Sequence, residues 1–457
     1  MGDSINKHET QGVNLLRGNP KKAVLKLSIP LMLSMMVISL YNIIDSFWVA
    51  GLGADQLAAV GFVIPLEFLI ISIGTSIGAG ITSVVSKYIG EKNDKLSDNS
   101  AAHGVILSLI FSLIVTIIFS VFAKELLMLM GARGDSLGYA LEYGHIYFVA
   151  SLFVVMPNAL YGLLRSEGDT KRTMYVMVLC AILNMVLDPI FIYMLDLKMF
   201  GAALSTIMSL AIVLTIIIYW IYIKKYTFLN PTLSNFNYES FIMKDMLKVA
   251  IPSICEMIFI TCITAIMHLI ILAVSNTDSV AVFENGWRMV TLATEPMMAI
   301  STALISIVAA NYGAKNFRNM KIAYNYSMKL ATLLGIIALV IFLAFAPQIS
   351  YIFAYGASSR LLNPTVEFFH IFAWFFIVFP GGIVSTYVFQ GLGKGTHSLI
   401  FTVIREAICA TAFAILFGIV LKWGITGVWF GILLGYTIGG LIAIVYANNY
   451  LGKMVKA

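Results

Sequence analysis

Residues 86–93 read SKYIGEKN and residues 309–316 read AANYGAKN, a match at a shift of 223. Three further pairs repeat at nearly the same interval: SIPLMLS (28–34) with AIPSICE (250–256), MGARGDSL (130–137) with YGASSRLL (355–362), and LLRSEGDT (163–170) with FQGLGKGT (389–396). A chain that matches itself at shifts of 222 to 226 residues has duplicated a whole folding unit. Six apolar spans separate the two copies of each motif, so both copies run in the same direction. The repeat is therefore parallel, and its axis lies along the membrane normal.

That there is a membrane follows from composition. The 457 residues are 60% hydrophobic and 11% charged, with a mean hydropathy of +0.92, against about a quarter charged in soluble domains. Apolar runs of 20 to 30 residues recur along the whole length, each able to cross a hydrocarbon core of roughly 30 Å as a helix. The expected fold is an all-α integral membrane protein of twelve transmembrane helices, arranged as two six-helix bundles related by a parallel pseudo-twofold repeat. The divisions are an N-terminal segment 1–26, a first bundle 27–224, a linker 225–244, a second bundle 245–448 and a tail 449–457. The first 26 residues lack a short apolar core and a small-residue cleavage site, so no cleavable signal peptide is expected. Of the 29 Lys and Arg, 22 fall in loops on the side of the two termini and 5 on the other. This predicts a multi-pass protein of the cell membrane with both termini cytoplasmic, and the net charge of +6 reflects loop orientation rather than nucleic-acid binding. Cys180, Cys255, Cys262 and Cys409 lie inside apolar spans without metal-type spacing and read as small core residues.

A charge at bilayer depth costs several kcal/mol and is by default a functional hypothesis. Asp45 interrupts the first span in LYNIIDSFWVAGLG (40–53). At 1.5 Å per residue it reaches the outer part of the membrane. Asn184 and Asp188, i and i+4 on the fifth span, and Thr206, early in the sixth, reach the same outer half. Such oxygen donors suit Na⁺ and equally hold a shared proton, because two carboxylates in low dielectric do not comfortably both stay ionised. At the repeat interval Asp45 falls on Met267 or His268, and Asn184 and Asp188 on Cys409 and Phe413, so the second half lacks this acidic site.

Other intramembrane polar residues leave two readings each. Glu67, near the midplane of the second span, either faces the cleft and attracts a cationic substrate or bonds a neighbouring helix. His268 is either part of a proton relay or a neutral packing residue. Glu256, Glu295 and Arg405 project to the inner half, where a Glu–Arg pair would brace the second bundle, and Glu284 and Arg288, i and i+4, are expected to pair. Pro30 and Pro252 hold the same place in the two repeats. Pro30, near the start of the first span, would act as a hinge moving Asp45, and Pro189, directly after Asp188, would loosen the same region. The 30 Phe, 21 Tyr and 23 Met supply adaptable apolar surface for varied substrates.

SIPLM opening the first span, YNIIDSFWVAGLG closing it, GAGITSVVSKYIGEKN ending the second, LLRSEGDTKRTM before the fifth and LNMVLDPIFI within it together resemble the multidrug and toxic compound extrusion (MATE) family of antiporters. The similarity covers nearly the whole chain and is closest to DinF-like or MepA-like members. It implies alternating-access export of amphipathic, often cationic, compounds or drugs in exchange for H⁺ or Na⁺, with no cofactor. It also implies that Asp45, Asn184, Asp188 and Thr206 couple the cation or proton and hold any Na⁺, with Tyr41 as their neighbour. NorM-like members carry an acid further along the seventh span than Glu256, so no role passes to Glu256. The alternative is a flippase or exporter of a lipid-linked or other native metabolite; such a protein would have a more basic cleft, and here intramembrane acids outnumber arginines. Neither H-E-x-x-H nor G-x-x-x-x-G-K-[ST] occurs, which argues against an enzyme and against direct use of ATP. An ion channel is disfavoured by the duplication and the one-sided acidic site. The expected partners are small-molecule substrates and the lipid bilayer, and the expected state is a monomer.

Overall fold

The computed structural model describes residues 10–232, 236–353 and 356–456. In the first half, α1 (Gln11–Arg17) and α2 (Pro20–Ala50) lead into α3 (Ala54–Gly90), α4 (Asp94–Val121), α5 (Ala123–Leu129), α6 (Gly134–Val149), α7 (Leu152–Ser166), α8 (Thr170–Pro189) and α9 (Lys198–Ile218). The second half holds α10 (Ser240–Val274), α11 (Thr277–Gly313), α12 (Phe317–Phe353), α13 (Leu362–Phe372), α14 (Phe375–Gly391), α15 (Gly395–Val403), α16 (Ala412–Ile415) and α17 (Gly424–Lys456). All are helical because a bilayer offers backbone groups no outside partner. Among the described residues ten spans are long and apolar enough to cross, and two more are broken: α6 and α7 meet at 48°, α13 and α14 at 53°. Each broken pair is the fourth span of its half, so the break repeats as well.

The SKYIGEKN motif and its copy make equivalent structures. α3 stops at Gly90 and α11 at Gly313; Lys92 and Lys315 then take left-handed φ values of 57° and 55°, reversing the chain. Asn93 Oδ1 accepts from Leu96 N at 3.1 Å, and Asn316 Oδ1 from Asn319 N at 3.1 Å, capping the helices that follow. The two glycines face each other's helices. A Cβ on Gly90 would lie 1.9 Å from the Ala310 carbonyl oxygen, and one on Gly313 would lie 2.0 Å from that of Lys87. The halves therefore meet backbone to backbone at the end of the molecule that carries the termini, about the axis the repeat implies.

The two apolar cores do not divide cleanly at the linker. Leu27 and Leu31 of α2 lie in the core of the second-half helices, whereas Val49 of the same helix lies in that of the first half. In mirror fashion, Ile242, Met246 and Ala250 of α10 pack with the first half, and Ile263, Met267 and Ile271 with the second. Each half thus lends the inner part of its leading helix to the other.

Pro30 and Pro252 lie within α2 and α10 close to these changeovers. Pro30 is not near the first turn as expected: Asn19 Oδ1 caps Lys21 N at 3.0 Å and Lys22 N at 3.3 Å, so α2 starts at Pro20 and Pro30 is well inside it. Pro189 ends α8, and one π-helical turn, Ile190–Met194, follows.

The linker is strapped to the first half at the same end. Glu167 Oε2 accepts from Phe228 N at 2.7 Å and Leu229 N at 3.2 Å. Asn99 bonds Asn237 N and O at 3.1 and 2.9 Å, and His103 Nε2 accepts from Glu239 N at 3.0 Å.

Of the cysteines, Cys409 is buried and Cys180 half-buried, but Cys255 and Cys262 are exposed. The expectation of four core cysteines fails because lipid is as apolar as the protein interior, so an apolar residue in a span need not face inward.

Candidate functional site

α8 and α9 run antiparallel through a short loop, which sets Asn184 and Asp188 beside Ser205 and Thr206 at one depth. Asp188 and Asn184 are buried, at 0% and 1% exposure. The Asn184 amide is satisfied in the orientation that donates to Asp188 Oδ2 at 2.7 Å and accepts from Thr206 Oγ1 at 2.9 Å and Thr206 N at 3.1 Å. The Ser205 hydroxyl donates to Asp188 Oδ1.

α2 supplies the other wall. Its Asp45 carboxyl is hydrogen-bonded to that of Asp188, and Tyr41 is bonded to Thr206. The Tyr193 hydroxyl, on the π turn after Pro189, donates to the Trp48 carbonyl at 2.6 Å and pins the outer end of α2 against α8. A carboxylate has only acceptors, so a direct bond between Asp45 and Asp188 requires a proton on one of them, and a cation would take the same oxygens. Two carboxylates, an amide and two hydroxyls form an all-oxygen donor set of the hard type, apt for Na⁺ or for a shared proton. Tyr41, Asp45, Asn184, Asp188 and Thr206 are therefore in one cluster. Ser205 joins them unanticipated; a serine among apolar residues carries no signal of its own in the sequence.

The remaining polar residues lie outside that cluster. Glu67 bonds Tyr143 of α6, lies within electrostatic reach of Asp45, and keeps Oε1 buried without a partner. His268 belongs to the other half, where its Nε2 is 2.6 Å from Glu284 Oε1. Glu284 thus turns to the neighbouring α10 rather than to Arg288 on its own helix, contrary to the i, i+4 expectation, because an aligned partner across a helix hairpin outcompetes a weak intrahelical pair.

Glu256 does not pair with Arg405 either. It accepts from Thr402 Oγ1 at 2.5 Å and Ser398 Oγ at 2.9 Å, while Arg405 Nη2 stands 3.2 Å from Glu406 Oε1. Glu406 escaped the sequence reading, although an Arg-Glu pair inside an apolar run was a usable signal. Glu295 bonds Ser39 of α2.

Two repeat-related helical halves closed at one end, with a carboxyl pair buried in one half, define a membrane transporter. The MatE family pattern matches residues 30–190 and 252–416. The chain belongs to this family, the multidrug and toxic compound extrusion transporters. It is 23% identical over 426 residues, 93% of its length and 92% of the relative's, to the multidrug export protein MepA of Staphylococcus saprophyticus. It is 28% identical over 313 residues to a FAD transporter of Shewanella oneidensis, covering 67% of this chain and 69% of that one. Among solved structures it is 34% identical, at a TM-score of 0.96 over 98% of its length and 100% of the other's, to a multidrug resistance MATE transporter of the MOP superfamily in an outward-facing conformation. The same figures relate it to a MOP superfamily transporter from Pyrococcus furiosus, described as having a binding pocket of reverse polarity that suggests a different function.

Proposed function

We propose that the protein is a secondary exporter that exchanges amphipathic organic cations or drugs for H⁺ or Na⁺ across the cell membrane, working as a monomer with both termini cytoplasmic. The observation that carries this is the bond between Asp45 and Asp188, set among Ser205, Asn184, Thr206 and Tyr41. A proton or Na⁺ entering from outside neutralises the pair. Its release to the other side leaves two like charges that separate, and because Asp45 rides on α2 and Asp188 on α8, occupancy biases how those helices pack. Glu67, with its free buried oxygen near Asp45, is the substrate-facing carboxylate of the same half. Export follows when a cationic substrate and the coupling ion compete for this negative region, since each binding event disfavours the other.

The test is dye counterflow in proteoliposomes, with a pH gradient and a Na⁺ gradient imposed separately. Wild type is expected to transport under at least one gradient, and Asp45→Asn to lose gradient-driven transport at least tenfold. Transport by wild type under neither gradient, or normal transport by Asp45→Asn, overturns the coupling role.

A second reading, export of a native metabolite bearing an anionic group, is favoured by one observation. Arg165 lies between Tyr161 and Tyr387, is 8% exposed, and makes no ion pair among the described residues. The FAD transporter relative gives a probe: FAD added to the same vesicles should leave cation transport unchanged under the main reading, and should itself be carried under the second.

A further inference from the structure

The second half has a polar centre of its own, which the coupling reading does not use. Glu256 on α10, Ser398 and Thr402 on α15, Arg405 and Glu406 on the following π-helical stretch (Ile404–Thr411) and Tyr436 on α17 are all buried. Arg405 rests in a slot between two glycine-bearing helices: a Cβ on Gly382 would meet its Nη1 at 2.8 Å, and one on Gly439 its Cα at 2.6 Å. Its Nε donates to Glu406 Oε1 at 3.2 Å, its guanidinium lies 5.4 Å from the centre of the Tyr436 ring, and the Tyr436 hydroxyl donates to Glu406 Oε2 at 2.5 Å. Glu256 receives only hydroxyls. Within this cluster two carboxylates thus face one guanidinium, and a buried excess of negative charge calls for a further cation.

A cavity of about 50 Å³ opens on Glu406 and Tyr436, and its walls include Phe283, Trp287, Met267 and Thr264. Phe283 and Trp287 are stacked, with ring centres 5.6 Å apart. That volume takes a few waters or one small head group, not a whole drug. Aromatic faces beside a carboxylate attract an ammonium that is poorly hydrated.

We propose that this cavity binds the alkylammonium head of an organic cation, with Phe283 and Trp287 as walls and Glu406 and Tyr436 as the floor, the apolar remainder of the ligand lying in the cleft. The proposal rests on the cationic-substrate reading above and adds a second-half subsite distinct from the Asp45–Asp188 pair. Arriving positive charge at Glu406 competes with Arg405, and Glu256 stands ready to take up the displaced guanidinium.

The experiment is equilibrium binding of radiolabelled benzyltrimethylammonium to the full chain in lipid nanodiscs, competed with its neutral isostere neopentylbenzene. Wild type should bind the cation at least tenfold more tightly than the isostere competes. Glu406→Gln should weaken binding at least tenfold. Thr264→Phe, which fills the cavity and leaves the ion pair intact, should do the same if Glu406→Gln fails to fold. Asp45→Asn should bind as wild type does. Wild-type affinity in Thr264→Phe, or equal competition by the neutral isostere, overturns the site whatever Glu406→Gln does. Loss of binding in Asp45→Asn with retention in Thr264→Phe places the ligand in the first half and also overturns it. Because binding is read without any gradient, failure of the coupling test leaves this test informative, and the reverse holds too.

Discussion

Asp188, Glu256 and Glu167 are all buried carboxyl groups, and each is accommodated by different chemistry. Asp188 shares a hydrogen bond with a second carboxyl and takes a serine hydroxyl and an amide, so its charge state can change with occupancy. Glu256 is held by two hydroxyls alone. Glu167 sits outside the spans, at the end of α7, where it fastens the linker through two backbone amides and keeps Oε1 buried without a partner. Burial first and the nearby Asp169 charge second push its carboxyl up to about 8, and the amides of Leu229 and Phe228 offset only part of that rise. The unfolded carboxyl titrates near 4.3, so between there and about 8 the folded state binds the extra proton. Stability from this group is therefore complete below the lower value and is lost as pH rises through the upper one, a loss on the order of a few kcal/mol. The expected outcome is a wild-type Tm that falls from pH 6 to pH 9 and a Glu167→Gln Tm that falls clearly less. Parallel slopes in the two proteins would exclude Glu167 as the source.

At the scale of the element, α2 and α10 have the unusual assignment. Each begins in the core of the opposite half and ends in its own, with Pro30 or Pro252 close to the changeover. A proline inside a helix removes a backbone hydrogen bond and lowers the cost of bending by roughly 3 kcal/mol, which is useful where a single helix must follow two bodies. Replacing Pro252 by Ala restores that bond and stiffens α10. The expectation is a higher Tm together with slower dye transport, while substrate binding at equilibrium stays close to wild type. A variant that transports at the wild-type rate despite a raised Tm would show that α10 moves as one rigid rod. Pro189 differs from both, since it closes α8 and leads into a π turn whose Tyr193 fixes the outer end of α2, so it anchors the coupling cluster.

For the molecule as a whole, the closed end depends on two residues that have no side chain. Gly90 and Gly313 let α3 and α11 approach to backbone contact, and each is the other's repeat equivalent. A methyl group at either place overlaps a carbonyl oxygen, and overpacking of that kind costs about 1–3 kcal/mol. The methyl group acts only on the conformation in which the halves touch at this end. Gly90→Ala and Gly313→Ala should therefore shift the population toward opening on the side of the termini. Paired spin labels on the ends of α3 and α11 should report a longer distance in detergent, with helix content unchanged. Unaltered distances in both variants would refute the role of this contact.

Duplication, span number, the direction of the repeat and the depth of Asp45, Asn184, Asp188 and Thr206 were legible in the sequence, because a bilayer forces helices and a helix advances by a fixed rise per residue. Depth along a helix follows from counting, but rotation about its axis does not. Lipid and protein interior are both apolar, so no alternation of polar and apolar residues marks which face turns inward, and the exposed Cys255 and Cys262 are one consequence. For the same reason only the tertiary structure decided that Glu284 meets His268, that Arg405 meets Glu406, that Ser205 completes the Asp188 shell, and that α2 and α10 each cross between the two cores.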